Sequence, residues 1–390
     1  MSDFTFNTTG SIQQIYGGAA QLGKIVHRLP LQAAGRNVLF VTDKGLRSLG
    51  LCDPALQSLK EAGFDVTVFD AVEPDPKTTT VLAAVALAQE SQCACVIGFG
   101  GGSSMDVAKV TALMAASDQP LEQAFGVDQA TGQRLPLVLV PTTAGTGSEV
   151  TAVSILTTET DEKKGIVSPI ILPDVALLDA ALTIGLPPHI TAATGVDAMV
   201  HAIEAYTSAN ANNNPLSKML AVQALALLGA NIQEAVHNGT NVEARSNMLL
   251  GATLAGQAFA NSPVAAVHAL AYPIGSLFHV PHGLSNALVL AEVMRFNAPA
   301  CGAAYAELAP HVFPDIDTQR PAGQICTDFI ERMSALNQNL GLEKGLSEVG
   351  ITPADIDKLA EHAMNQTRLL VNNPRELTLN DIRQIYRASM

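Results

Sequence analysis

The run Ala94-Cys95-Val96-Ile97-Gly98-Phe99 passes directly into Gly100-Gly101-Gly102-Ser103-Ser104-Met105-Asp106, and its reading decides the fold of the first half of the chain. An apolar run this short, closed by glycines, predicts a strand buried on both faces, with a helix opening on the glycine turn. Toward the N-terminus, Asn37 to Thr42 and Phe64 to Phe69 repeat the strand pattern, separated by a helix near Leu46 to Ala62. The loop Glu73-Pro74-Asp75-Pro76 and a helix over Thr78 to Gln89 lead back to Ala94. Phe4 to Tyr16 alternates loosely and reads as short strands before Gly17-Gly18, with a helix through Arg28. Toward the C-terminus, Leu135 to Val140 is a further strand, and the strand pattern ends near Leu177-Leu178-Asp179. Alternating strands and helices with apolar strands predict an α/β domain built on a parallel sheet.

After Pro187-Pro188 the periodicity becomes helical. Segments near 189–209, 215–237, 242–260, 263–278, 284–298, 323–341, 353–364 and 378–388 carry apolar residues at helical spacing. Asn210 to Pro215 is an inter-helix turn. The expected division is an α/β domain over 1–185 and a helical domain over 186–390.

Two turns of the first half suit a nucleotide. Glycines at 100–102 let the backbone approach a pyrophosphate, and the helix that follows offers free N–H groups at its positive end. Asp106 fits a structural cap near that helix start. The second turn, Pro141-Thr142-Thr143-Ala144-Gly145-Thr146-Gly147-Ser148-Glu149, follows a buried strand and is rich in hydroxyls that suit phosphate, ribose or carboxamide. Asp43 ends a strand, where an acid can bond a ribose hydroxyl or simply cap the next helix. An acid there repels a 2′-phosphate, which favours NAD over NADP. Lys163 and Lys164 fall in a charged turn over Thr160 to Lys164.

The helical half carries a different chemistry. Asp197 and His201 lie four apart, so a helix presents them on one face. His268 begins an apolar helix that Pro273 should kink or end. His282, between Pro281 and Gly283, sits where a turn would aim its ring. One carboxylate and three imidazoles form a borderline donor set suited to a divalent iron or zinc ion. A carboxylate in an apolar helix needs a cation or several donors to be tolerable. The helical half carries these donors and the α/β half the nucleotide turns, so a site at their junction is the expected geometry.

The bulk properties narrow the function classes. The 390 residues are 48% hydrophobic and 15% charged, with 30 glycines, enough for one or two domains with a large core. A net charge of −14 and the lack of a basic cluster argue against nucleic acid as partner. The five cysteines are scattered and odd in number, which fits neither a disulfide framework nor a cysteine-rich zinc site. No uninterrupted apolar run of membrane-spanning length and no signal pattern before Phe4 are read, so a cytoplasmic protein without a membrane partner is expected.

Five motifs together resemble the iron-dependent (group III) alcohol dehydrogenase family, almost end to end. They are GGGSSMDVAK (Gly100 to Lys109), PTTAGTGSEVT (Pro141 to Thr151), TGVDAMVHAIEAY (Thr194 to Tyr206), HALAYPIG with VPHG (His268 to Gly283), and NPRELT (Asn373 to Thr378). The resemblance implies an N-terminal α/β dinucleotide-binding domain and an all-α, metal-binding C-terminal domain. It implies Asp197, His201, His268 and His282 as metal ligands, with Fe2+ the expected ion and Zn2+ an alternative. Gly101, Gly102 and Ser103 would take the pyrophosphate of NAD, and Thr142, Thr143 and Thr146 the nicotinamide side. Asp43 would face the adenosine ribose and Asp75 the adenine neighbourhood. Lys163 matches the family lysine preceding the last apolar strand of the first domain, and Phe259 would line the substrate pocket. Many members carry a histidine where this chain has Tyr272. A tyrosine of reference pKa about 10 is a poorer base, so Tyr272, His279, or ribose hydroxyls and water are the candidates for moving the proton. The implied activity is metal-assisted hydride transfer between the carbinol carbon of a small alcohol and the nicotinamide, which interconverts the alcohol with its aldehyde or ketone, in a homodimer. A hydroxyacid–oxoacid transhydrogenase and a maleylacetate reductase are alternatives on the same fold. A dehydroquinate synthase-like lyase is disfavoured, because that family usually carries a Glu/His/His set.

Overall fold

A computed structural model of the chain describes residues 3–31, 35–159 and 162–390. It divides into two compact units, one made of Asn7–Thr143 and Gly147–Ile184, the other of Gly185–Met390 with Ala144–Thr146 and the segment ending at Phe6.

The first unit is α/β. Strand β1 (Ser11–Gln14) leads to the short helix α1 (Leu22–Val26). Strand β2 (Asn37–Val41) is followed by α2 (Lys44–Ser48) and α3 (Asp53–Glu61), then β3 (Asp65–Phe69), α4 (Thr78–Glu90), β4 (Cys95–Gly100) and α5 (Gly102–Met114). The remainder holds α6 (Leu121–Ala124), β5 (Gly126–Val127), β6 (Leu137–Pro141), β7 (Val153–Thr157), β8 (Lys163–Val167) and β9 (Val175–Leu178). Six strands form one sheet in the order β1-β9-β6-β4-β2-β3, and every pairing in it is parallel.

Strand alternation sorts the side chains to two cores. Val38, Phe40, Cys95, Ile97 and Phe99 pack on one face with α1 and α3. Leu39, Val41 and Val96 pack on the other with α4 and α5. Both faces are covered, so the strands read as continuous apolar runs. Gly98 is required by packing: a Cβ there would lie 2.7 Å from the Cβ of Ala108 on α5.

This order creates a switch point. From β2 the chain moves to β3 through α3 on one face; from β3 and β4 it returns the other way through α4 and α5 on the opposite face. The carboxyl ends of β2 and β4 therefore flank the switch point, the usual ligand position in such sheets. Asp43 and the glycine turn after β4 stand at these two strand ends.

The sequence reading missed a small three-stranded sheet, β5-β8-β7. Lys163 and Lys164 begin strand β8 there, rather than lying in a turn. Residues 160 and 161 of that expected turn fall outside the described residues. Near the N-terminus only Ser11–Gln14 is strand, and the expected helix through Arg28 is a 3-10 turn followed by five residues of α1.

The second unit is helical: α7 (Pro188–Thr207), α8 (Pro215–His237), α9 (Val242–Asn261), α10 (Ala266–Phe278), α11 (His282–Val312), α12 (Ala322–Asn339), α13 (Ile356–Met364), α14 (Thr367–Leu370) and α15 (Leu379–Ala388). Helix α7 packs against α8, α9 and α11, and nearly every residue from Thr191 to Ala205 is buried. Helix α8 is long and apolar enough to cross a membrane by composition alone, with a mean hydropathy of 1.4. It packs along α7 and α9 and carries Lys218, Gln223, Asn231 and Glu234, as a bundle helix does.

Prolines fall inside two of these helices. Pro273 neither ends α10 nor splits it; the helix continues to Phe278. Helix α11 runs past the expected end near 298 and bends at Cys301 (φ −131°, ψ 21°), two residues after Pro299. The NPRELT motif is structural. Asn373 and Asn297 exchange side-chain hydrogen bonds of 2.9 and 2.7 Å, and Thr378 with Asp381 forms a capping box at the start of α15.

Candidate metal and nucleotide sites

Helix α7 presents Asp197, His201 and Glu204 at i, i+4 and i+7, three successive turns of one face. His268 lies in the first turn of α10. His282 is the first residue of α11, with Pro281 as its N-cap, so a helix start and not a free turn aims the ring. The structure brings Asp197, His201, His268 and His282 together, with one ligand atom from each, all within 4.8 Å of one another. His282 Nε2 is 3.6 Å and His268 Nε2 3.9 Å from Asp197 Oδ1. Asp197, His201 and His268 are buried, and only the His282 side chain is open to solvent, at 40%.

The electrostatics suit a cation. Burial pushes the His201 imidazolium pKa down to about 3 despite the Asp197 carboxylate, so the ring is neutral at ordinary pH and keeps a lone pair. Burial alone would raise the Asp197 carboxyl; the rings of His201, His282 and His268 and the Asn286 amide outweigh it and hold it below the usual carboxylate range. His201 Nδ1 and Asn286 Oδ1 are buried with no hydrogen-bond partner among the described residues. Nitrogen and oxygen ligands at about 2.0–2.2 Å from an ion lie roughly 3–4 Å from one another, and the 3.6 and 3.9 Å separations from Asp197 Oδ1 fall in that range. The donor set fits one divalent ion.

Two further residues belong to this cluster and were not read as part of it from the sequence. Asn286, one turn after His282 on α11, donates to Asp197 Oδ1 at 2.6 Å and lies 3.3 and 3.4 Å from the Nε2 atoms of His282 and His268. Glu204 meets His268 Nδ1 at 2.7 Å. The helical spacing Asp197–Glu204 and His282–Asn286 was the available signal. Phe259 stacks on His201 with centroids 4.3 Å apart. Tyr272 is half-buried, its ring 5.8 Å from that of His282 and 6.5 Å from that of His268. His279 is exposed at the left-handed C-cap of α10 (φ 56°).

In the α/β unit, Gly101 is the N-cap of α5, and Gly102 and Ser103 form its first turn. Asp43 caps α2 by accepting from the Leu46 amide at 2.9 Å. Asp75 and Lys163 pair with each other at 2.7 Å. Thr142 and Thr143 follow β6 in this unit, whereas Thr146 belongs with the helical unit.

Asp106 is not a cap. Its Oδ1 accepts from Ser148 at 2.6 Å and its Oδ2 from the Ile155 amide at 3.0 Å, so it fastens the end of the hydroxyl-rich turn and β7 to α5. Lys109 is fully buried beside it, donating to Asp106 Oδ1 at 3.3 Å, Thr151 Oγ1 at 3.2 Å and the Val153 carbonyl at 2.7 Å. Burial lowers the Lys109 pKa, and the Asp106 charge opposes it.

Known proteins point the same way. The sequence profile of "Iron-containing alcohol dehydrogenase" matches residues 13–180, and that of "Fe-containing alcohol dehydrogenase family, C-terminal" residues 191–390. Long-chain-alcohol dehydrogenase 1 of Geobacillus thermodenitrificans (strain NG80-2) is 39% identical over 382 residues, covering 96% of this chain and 93% of that protein. A crystal structure of 1,3-propanediol oxidoreductase superposes with a TM-score of 0.95 at 35% identity, covering all of both chains. Sulfoacetaldehyde reductase from Bifidobacterium kashiwanohense, solved with NAD+, superposes with a TM-score of 0.86 at 29% identity, over 100% of this chain and 98% of that one. With matches over both units and nearly the full length, the chain belongs to the iron-containing alcohol dehydrogenase family, oxidoreductases that act on CH–OH groups.

Proposed function

We propose that the protein is an NAD-dependent, divalent-metal-dependent alcohol dehydrogenase that interconverts a small alcohol with its aldehyde or ketone. The observation that carries this reading is the meeting of Asp197, His201, His268 and His282, with their ligand atoms within 4.8 Å, in a chain of this family. These four residues would hold the ion, Fe2+ by family and Zn2+ as the alternative, since zinc generally binds N/O sites more tightly. When bound, a divalent ion supplies Lewis acidity at the substrate oxygen, and the nicotinamide supplies or accepts the hydride.

The chain's own residues do the placing. The N-terminus of α5, at Gly101, Gly102 and Ser103, would take the pyrophosphate on its amides. Asp43, at the switch point, would bond the adenosine ribose, and its charge disfavours the 2′-phosphate of NADP. Asp75 and Lys163, paired with each other, would border the adenine. Thr142, Thr143 and Thr146 would orient the nicotinamide. Phe259, stacked on His201, would form a dry wall of the substrate pocket. Tyr272 and His279 are the candidates for passing the proton to water. The same reading makes the protein a cytoplasmic homodimer, two-fold dimers being the commonest closed assembly.

A screen of NADH formation across short alcohols, diols and hydroxy acids tests the proposal, using protein stripped of metal and then reloaded anaerobically with Fe2+ or Zn2+. Turnover that returns with the ion supports it. Full turnover in stripped protein overturns it.

A further inference from the structure

One carboxylate joins two of the helices that carry the proposed ligands. Glu204 projects from α7, the helix of Asp197 and His201, toward the start of α10. Its Oε1 accepts from the Val267 backbone amide at 2.7 Å, and its Oε2 lies 2.7 Å from His268 Nδ1. The residue is only 4% exposed.

Each contact has a physical consequence. Val267 is the second residue of α10, whose N-cap Ala265 has no side-chain cap. Glu204 thus supplies, from a different helix, the acceptor that an N-cap side chain normally provides, and it places a negative charge at the positive end of α10. Oε1 already accepts from the Val267 amide, and the other carboxylate oxygen, Oε2, 2.7 Å from Nδ1, accepts from Nδ1–H. That bond fixes the His268 tautomer with the proton on Nδ1 and the lone pair on Nε2. Nε2 is the atom facing Asp197 Oδ1 at 3.9 Å and Asn286 Nδ2 at 3.4 Å, toward the cluster.

We propose that Glu204 is a positioning residue of the metal centre: it selects the Nδ1–H tautomer of His268 and locks the first turn of α10 against α7, so that Nε2 is presented for the ion. The inference rests on the four-ligand reading above. It adds that the centre depends on a fifth side chain that does not touch the ion. The two bonds need both oxygens of one carboxylate. A glutamine keeps the size, but only its oxygen can accept from Val267 N–H, so its amide N–H faces His268 Nδ1 and favours the opposite tautomer, with the proton on Nε2. Removing such an outer partner of a metal-bound histidine typically weakens metal affinity by about 10- to 100-fold.

The experiment uses full-length wild-type, Glu204→Gln, Glu204→Ala and Asp197→Ala proteins, each checked for cooperative thermal unfolding. Co2+ affinity is measured by chelator competition. The tautomer of His268 is read in metal-free protein by 15N NMR of histidine-labelled samples, with His268→Gln assigning the signal. The expected result is one Co2+ per wild-type chain, about 10- to 100-fold weaker binding in both Glu204 variants, and loss of a pure Nδ1–H tautomer at His268. Wild-type affinity and an unchanged tautomer in Glu204→Gln would overturn the inference; if Asp197→Ala still lost the ion, the four-ligand reading would stand. A wild-type chain that takes up no Co2+ would overturn both. Should Glu204→Ala fail to fold, Glu204→Gln and the tautomer signal decide the matter alone.

Discussion

Asn286 donates its amide to Asp197 Oδ1 at 2.6 Å, while its own Oδ1 stays buried without a partner among the described residues. A wholly buried amide with one half unsatisfied costs about 1–3 kcal/mol, so its persistence here marks a requirement of the site rather than of the core. The amide stands where three of the proposed ligand side chains, Asp197, His268 and His282, converge. Asn286→Leu, similar in size and without polar atoms, is expected to weaken divalent metal binding by about 10- to 100-fold. Chelator competition against the wild type measures it, and equal affinities would remove Asn286 from the site.

The Asp106–Lys109 pair makes a prediction independent of the metal. Lys109 is fully buried, so Asp106→Ala removes its hydrogen-bonded counter-charge, leaves Glu149 as the remaining carboxylate acting on it, and should cost about 3 kcal/mol in urea unfolding. Adding Lys109→Met should restore much of that loss. If the double variant is as unstable as the sum of the two single ones, the pair is not coupled as the geometry states.

Two glycines, one inside β4 and one in the turn after it, should separate packing from ligand approach. Gly98→Ala places a Cβ 2.7 Å from Ala108 and Leu139 side chains and should destabilise the protein by about 1–3 kcal/mol. At Gly101 the nearest atoms to a Cβ are those of Thr143, 3.8 and 3.9 Å away, and the backbone is extended. Gly101→Ala should therefore leave the melting temperature unchanged yet weaken NAD binding, measured by calorimetry, at least ~10-fold if a pyrophosphate must approach this backbone. Unchanged NAD affinity would place the pyrophosphate elsewhere.

Thiol burial sets the alkaline limit of stability. Burial pushes Cys93 and Cys301 from 9.0 up to about 11. The folded chain therefore holds these protons where the unfolded chain has lost them. That contribution is complete below pH 9 and is lost as the pH rises toward about 11. The urea midpoint should fall across this window, and less steeply in a Cys93→Ala, Cys301→Ala double variant. Parallel curves would assign the alkaline loss to other groups.

The sequence made some of this legible and hid the rest for identifiable reasons. The inner strands of the large sheet were readable because both their faces are buried, so Val38 to Val41 and Cys95 to Phe99 form apolar runs. The small sheet was not, because β5 has two residues and β8 begins with two lysines, whose charges read as a turn. His282 was placed on a turn because Pro281 and Gly283 flank it, yet proline before a helix start is compatible with the N-cap backbone, and α11 begins there. Of the two outcomes open to Pro273, a kink or an end of α10, the end does not occur, because the helix runs through it to Phe278. Asp106 looked like a cap by its nearness to the glycine turn; its partners Ser148 and Ile155 lie more than forty residues away, which no local pattern reveals. Asp197, His201, His268 and His282 were legible as a donor set by residue type, whereas Glu204 and Asn286 were passed over because their partners are on other helices or depend on tertiary approach.

The most direct measurement is metal content after anaerobic loading with Fe2+ and desalting, by inductively coupled plasma mass spectrometry, for wild type, Asp197→Ala and His268→Ala. One ion per wild-type chain, lost in both variants while each still unfolds cooperatively, is the predicted result. Wild-type protein that emerges without metal, or variants that retain a full complement, would contradict the four-ligand centre.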